Sequence, residues 1–157
     1  MEVFSALLKG RDMFLGLSVG GILNRADPAT MSQKAIVFAL ATPDPEVDPA
    51  ERTPNIAVMA TGSSRYLNQI NNALAFPGIF RGAIEAGVQS ITDEMCIEAA
   101  KAIAALISKD QLDADYIIPP VLEPVSKSDK RSRVALAVAS AVTKFAAEKG
   151  LARRNVK

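Results

Sequence analysis

Three short, unbroken apolar runs punctuate the N-terminal part of the chain: Met13-Phe14-Leu15-Gly16-Leu17-Ser18-Val19, Ala35-Ile36-Val37-Phe38-Ala39-Leu40-Ala41 and Ile56-Ala57-Val58-Met59-Ala60. Continuous rather than alternating hydrophobicity over so few residues predicts strands buried on both faces, as in parallel sheets. A turn signal follows each run: Gly20-Gly21, then Thr42-Pro43-Asp44-Pro45, then Thr61-Gly62-Ser63-Ser64. Helix signals lie between and after the runs, so the expected class is α/β with a parallel sheet of about three strands. Such a sheet is small for a complete doubly wound domain and reads as the second half of one.

The local signals are explicit. Val3 to Leu8 reads as a helix end, with Lys9-Gly10 as its stop. Asp27 is a candidate N-cap, with Pro28 at the first helical position. Pro77 to Ala86 reads as a helix ended by Gly87. Thr92 caps another, with Asp93 and Glu94 favourably placed in its first turn. In that helix Cys96, Ala99, Ala100, Ile103 and Leu106 recur at helical spacing and predict the buried stripe, with Cys96 as a small core residue. Tyr116 to Pro120 is an extended connector. Val134, Val138, Ala141, Val142 and Phe145 predict a last amphipathic helix ended by Gly150. Lys127, Lys130, Arg131 and Arg133 near its start read as a solvated segment, with phosphate binding as the alternative. Residues 151–157 form a basic tail, expected to fray.

The densest polar feature lies after the third run. Asn68, Gln69, Asn71 and Asn72 fall in the segment Tyr66-Leu67-Asn68-Gln69-Ile70-Asn71-Asn72, directly before the apolar block Ala73 to Phe76. Amides donate and accept, so the Asn71-Asn72 pair suits a ligand bearing carboxylate, hydroxyl and carboxamide groups. Buried and unpaired, each amide would cost ~1–3 kcal/mol, so backbone, water or ligand must satisfy it. The alternative is a loop whose amides cap the next helix.

Composition excludes several chemistries. Histidine is absent, which removes Ser-His-Asp and Cys-His catalysis and histidine-ligated metal. The single cysteine, Cys96, allows no internal disulfide and no cysteine cage. A net charge of +1 sets up no overall field for nucleic acid or membrane. No apolar run approaches the ~18 residues of a membrane helix, and no leader is evident, so a cytoplasmic protein is expected.

The amide segment and the block after it, read as N-Q-x-N-N-x-L-x-F-P-G-I-F-R-G over Asn68 to Gly82, resemble malic enzymes, especially the short bacterial type. Phe38 to Glu46 resembles that family's F-A-L-A-N-P-x-P-E, and Ala60 to Ser64 resembles its A-T-G-R-S. Ile91 to Met95 and Tyr116 to Pro119 are similar in order and rough spacing. The resemblance covers roughly Leu7 to Gly150 and implies the later part of a Rossmann-like NAD(P)-binding domain over residues 1–150.

The implied activity is NAD(P)-dependent oxidative decarboxylation of malate to pyruvate and carbon dioxide, with Mg or Mn as the divalent metal. By the same resemblance Asn71 and Asn72 bind substrate, and Gly16, Ser18, Gly20 and Thr42 lie along the cofactor. Thr42 departs from the family asparagine, and Ser126 to Arg133 from its usual proline- and alanine-rich helix entry. The family's acid tyrosine, base lysine, acidic metal ligands and glycine fingerprint lie N-terminal to the matched segment. None maps here: Tyr66 and Tyr116 are outside the acid's motif, and no G-x-G-x-x-G is present. Catalytic residues and metal ligands are therefore expected to be absent from this chain, which alone should be inactive. Malate or pyruvate are the expected small-molecule partners. The expected protein partner is a second copy or a complementary malic-enzyme half. The alternative is a non-catalytic homologue serving as a binding or oligomerisation module.

Overall fold

A computed structural model describes residues 2–154, with side chains from residue 4 onward. Asn155 to Lys157, the end of the expected frayed tail, lie outside the described residues. The chain forms two compact units: Met1–Asn71 with Asp113–Ile117, and Asn72–Leu112 with Ile118–Lys157.

The first unit contains α1 (Glu2–Leu8), β1 (Met13–Gly16), α2 (Ala26–Ala29), β2 (Ala35–Ala39) and β3 (Ile56–Thr61). The strands form one parallel sheet in the order β1-β2-β3. Gly16 of β1 pairs with Ala39 of β2, which pairs with Thr61 of β3, so the three carboxyl ends align. Val37 and Ala39 are fully buried and pack with Leu8, Leu23, Met31, Val47 and Met59. Gly10 takes a positive φ of 68° after α1, the stop expected of Lys9-Gly10.

Two expectations need correction here. The first run is a four-residue edge strand, and Met13, Leu15, Leu17 and Val19 are exposed, not buried on both faces. Met13 and Leu15 share one face of this strand, which is exposed, while Phe14 and Gly16 on the other face are half-buried and buried, so apolarity alone did not fix burial. Asp27 is not the N-cap of α2, which Arg25 precedes. Asp27 lies inside the helix, 1% exposed, where its carboxylate accepts the Asn24 N–H at 2.8 Å and the Ser5 hydroxyl. It ties α2 to α1.

The second unit is helical: α3 (Phe76–Ala86), α4 (Asp93–Ala104) and α5 (Arg133–Glu148). Pro77 opens α3, and Gly87, at φ 67°, ends it. Thr92 accepts the Met95 N–H and caps α4, while Ser132 accepts the Ala135 N–H and caps α5. Glycines set the α3–α5 approach: a Cβ on Gly78 would lie 2.5 Å from Val138 Cβ, and one on Gly82 2.6 Å from the Ala139 carbonyl. Leu74, Ile79, Met95, Ile103, Val138 and Val142 form the core.

The buried stripe of α4 is Met95, Ala99 and Ile103. Ala99 and Ile103 are buried as expected, whereas Cys96 and Ala100 are exposed and Met95 takes the core position. Apolar residues surround this helix, so packing chooses the face. Arg131 pairs with Asp129 at 2.6 Å and Arg133 with Glu123 at 2.7 Å, which occupies two of the four cations near the start of α5. In the described part of the tail, Arg153 and Arg154 donate backbone N–H groups to the Ala86 carbonyl. Among the described residues no helix is long and apolar enough to cross a membrane.

Candidate functional site

The carboxyl ends of the strands open into segments stitched together by backbone. Leu40 N–H donates to the Gly16 carbonyl at 3.0 Å, Gly21 N–H to Pro45 at 2.9 Å, and Leu23 N–H to Glu46 at 2.9 Å. Glu46 completes the join. Its carboxylate is fully buried and accepts the Ser18 N–H at 2.9 Å and the Ala41 N–H at 3.0 Å. The Ser18 hydroxyl reaches the same carboxylate at 3.3 Å. Each donor left dry without this acceptor would cost about 1–3 kcal/mol.

The glycines here serve that join. A Cβ on Gly16 would lie 2.5 Å from Glu46 Cδ, and one on Gly20 2.6 Å from the Asp44 carbonyl oxygen. Gly21 takes a φ of 70° in open space. Gly16, Ser18 and Gly20 therefore hold one ledge at the sheet edge, fastened to the segment that carries Thr42.

Beside it lies an open cleft of about 480 Å³, lined among others by Thr42, Asp44, Gly62, Ser63, Arg65 and Asn71. Asn71 donates its amide to the Gly62 carbonyl at 3.0 Å, which fixes the side chain at the cleft wall. Arg65 donates to Asp44 Oδ1 at 2.7 Å, to the Pro43 carbonyl at 3.3 Å and to Ser63 Oγ at 3.3 Å. The Asp44 hydrogen bond, foremost, raises the Arg65 pKa above its ordinary value.

The four amides divide. Asn68 is buried with a φ of 53°, and donates to the Met59 and Ala114 carbonyls at 3.0 and 2.8 Å. Its oxygen accepts the Ile117 N–H at 2.9 Å. It fastens residues 113–117 to the sheet. Gln69 and Asn71 line the cleft. Asn72 opens a 3-10 turn in the second unit, where its carbonyl accepts the Ala75 N–H. No side chain caps α3, whose N-cap position is Ala75.

Glu46 and Arg65 escaped the sequence reading as functional candidates. An acid between Pro45 and Val47 was the available signal for a buried Glu46. Arg65 carried none, because its position depends on the loop after β3. Among the described residues no three His, Cys, Asp or Glu side chains group to hold a metal ion.

The family model for "Malic enzyme, NAD binding domain" matches residues 26–147. The NAD-dependent malic enzyme of Geobacillus stearothermophilus is 45% identical over 96% of this chain and 30% of its own length. The bifunctional malic/malolactic enzyme of Bacillus subtilis is 47% identical over 92% of this chain and 34% of its own. The crystal structure of malic enzyme from Pyrococcus horikoshii superposes with a TM-score of 0.82 and 39% identity, covering 98% of this chain and 34% of that one. The chain spans about a third of the length of these relatives. With its parallel sheet, flanking helices and matched NAD-binding segment, the chain belongs to the malic enzyme family.

Proposed function

We propose that this chain carries the cofactor- and malate-binding face of a malic enzyme, serving the oxidation of malate by NAD(P) to pyruvate, carbon dioxide and the reduced cofactor. The observation that carries this reading is the cleft at the carboxyl edge of the parallel sheet, where Thr42, Gly62 and Asn71 converge. Ligands of open α/β sheets bind outside the carboxyl ends of the strands. In this reading Gly16, Ser18, Gly20 and Thr42 face the cofactor, and Asn71 and Asn72 bind substrate. The bound nicotinamide would supply hydride acceptance; the protein's part is to bind and orient.

The described residues offer no group of acidic or cysteine side chains that fits the divalent metal of the family. The proton-transfer residues are likewise assigned to the family segment N-terminal to the matched part.

A thermal melt tests the binding. A ligand at 100 times its dissociation constant stabilises by ~2.7 kcal/mol. NAD or NADP should raise the midpoint, and the larger shift identifies the preferred cofactor. No shift with either would overturn the reading.

One observation favours a second reading, a non-catalytic binding or oligomerisation module. Met13, Leu15, Leu17 and Val19 are exposed along the open β1 edge and the segment after it, and an open edge is a template for strand pairing. Under this reading the chain associates with its own copies or with a complementary malic-enzyme half. A stable monomer in solution that binds no such half would exclude it.

A further inference from the structure

We infer that Arg65 is the carboxylate receptor of the cleft and that Asp44 is its built-in competitor. The inference rests on the dicarboxylate reading above and adds a residue that reading did not use. Among the residues lining the cleft, Arg65 is the cation and Asp44 the acid. A dicarboxylate entering this cleft meets one guanidinium that is already holding a carboxylate oxygen at 2.7 Å. That oxygen marks where a ligand carboxylate would sit.

Arg65 has contacts besides Asp44 that help to place it. Nε donates to Ser63 Oγ and Nη2 to the Pro43 carbonyl, both at 3.3 Å, and the guanidinium lies 5.6 Å from the Tyr66 ring centroid. The Asp44 backbone and Cβ lie against Gly20, so the carboxylate beyond them, on an exposed side chain, is the part that can turn away. The Arg65 and Asp44 side chains are 58% and 70% exposed. An exposed ion pair is worth little in water, so exchange of one carboxylate for another is cheap. A guanidinium presents a planar fork that matches a carboxylate with two parallel hydrogen bonds. Asp44 thus fills the receptor when substrate is absent and sets how tightly substrate must bind to displace it.

The geometry demands opposite signs from the two partners, which a merely structural ion pair would not give. L-malate is titrated into the whole chain at constant ionic strength, with binding followed by calorimetry. Asp44→Asn should tighten malate by about two- to fivefold, the order set by removing an exposed ion-pair competitor. Arg65→Gln should weaken it by about tenfold or more, as for loss of a charge-assisted hydrogen bond. Arg65→Lys should recover part of the loss, and the double variant should behave as Arg65→Gln alone.

A neutral or weakening Asp44→Asn, or an Arg65→Gln that binds malate like the parent, would overturn the inference. So would inorganic phosphate binding as tightly as malate, which would mark a general anion site. A nucleotide-induced melt shift that survives in these cases leaves the binding-face reading standing. Absence of both malate binding and nucleotide shift in the parent chain overturns both.

Discussion

The space that a side chain on Gly16 would need is filled by Glu46: a Cβ built there would lie 2.5 Å from both Cδ and Oε1 of that carboxylate. The end of β1 and the segment after β2 are therefore joined through a buried acid that accepts backbone donors from both. Gly16→Ala should destabilise the chain by about 1–3 kcal/mol through overpacking. Glu46→Gln, nearly isosteric, turns an amide donor toward one of those N–H groups and should cost about 1–3 kcal/mol for the donor left unpaired. Urea denaturation measures both, and parent-like stability in Glu46→Gln would contradict the acceptor role.

Asn68 should matter to stability and Asn71 to binding, although they are three positions apart. Asn68→Ala removes bonds to Met59, Ala114 and Ile117. It also places alanine at a φ of 53°. A loss of about 2–4 kcal/mol is expected from unsatisfied backbone groups and the left-handed backbone. Asn71→Ala should lower the unfolding free energy by only about 1–2 kcal/mol, because the side chain is half-exposed and water can replace its partners. It should also abolish the malate-dependent part of any melt shift.

Gly82 governs the close packing of α3 on α5. A Cβ there meets the Ala139 carbonyl at 2.6 Å and Val142 Cβ at 2.9 Å, and backbone cannot yield as a flexible side chain can. Gly82→Ala should cost about 1–3 kcal/mol despite the better helix propensity of alanine. An equally stable or more stable variant in urea would show that α3 can shift without loss.

Asp129 reports on the turn before α5. Its hydrogen bonds from Arg131 hold the carboxyl down at about 2. A depressed acid stabilises the fold above its unfolded pKa, and that contribution fades as pH falls toward the folded value. The turn should therefore loosen between about pH 4 and pH 2, the window between those two values. Arg131→Gln should return the Asp129 titration, followed by carboxyl carbon NMR shifts, toward the ordinary aspartate range; an unchanged titration would remove Arg131 as the cause.

Much of the fold is written locally. Unbroken apolar runs place the three strands. Gly10 and Gly87 mark helix ends because a left-handed residue there accepts no Cβ cheaply. Thr92 caps α4 because its hydroxyl satisfies a first-turn donor that every helix start leaves open. These signals need no distant partner, so they are legible along the chain.

Only the tertiary structure decided the rest, because the deciding groups come from far along the sequence. It chose Met95 over Cys96 for the α4 core, since apolar residues surround that helix and its packing neighbour selects the face. It left the β1 run exposed, since a run of hydrophobic residues encodes a strand but not what lies beside it. It also gave four neighbouring amides different tasks: Asn68 became a buried fastener, Gln69 and Asn71 a cleft wall, and Asn72 the start of a turn. An amide has the same donors and acceptors at every position. Which of them remain for a ligand is settled by the backbone groups that folding brings within reach.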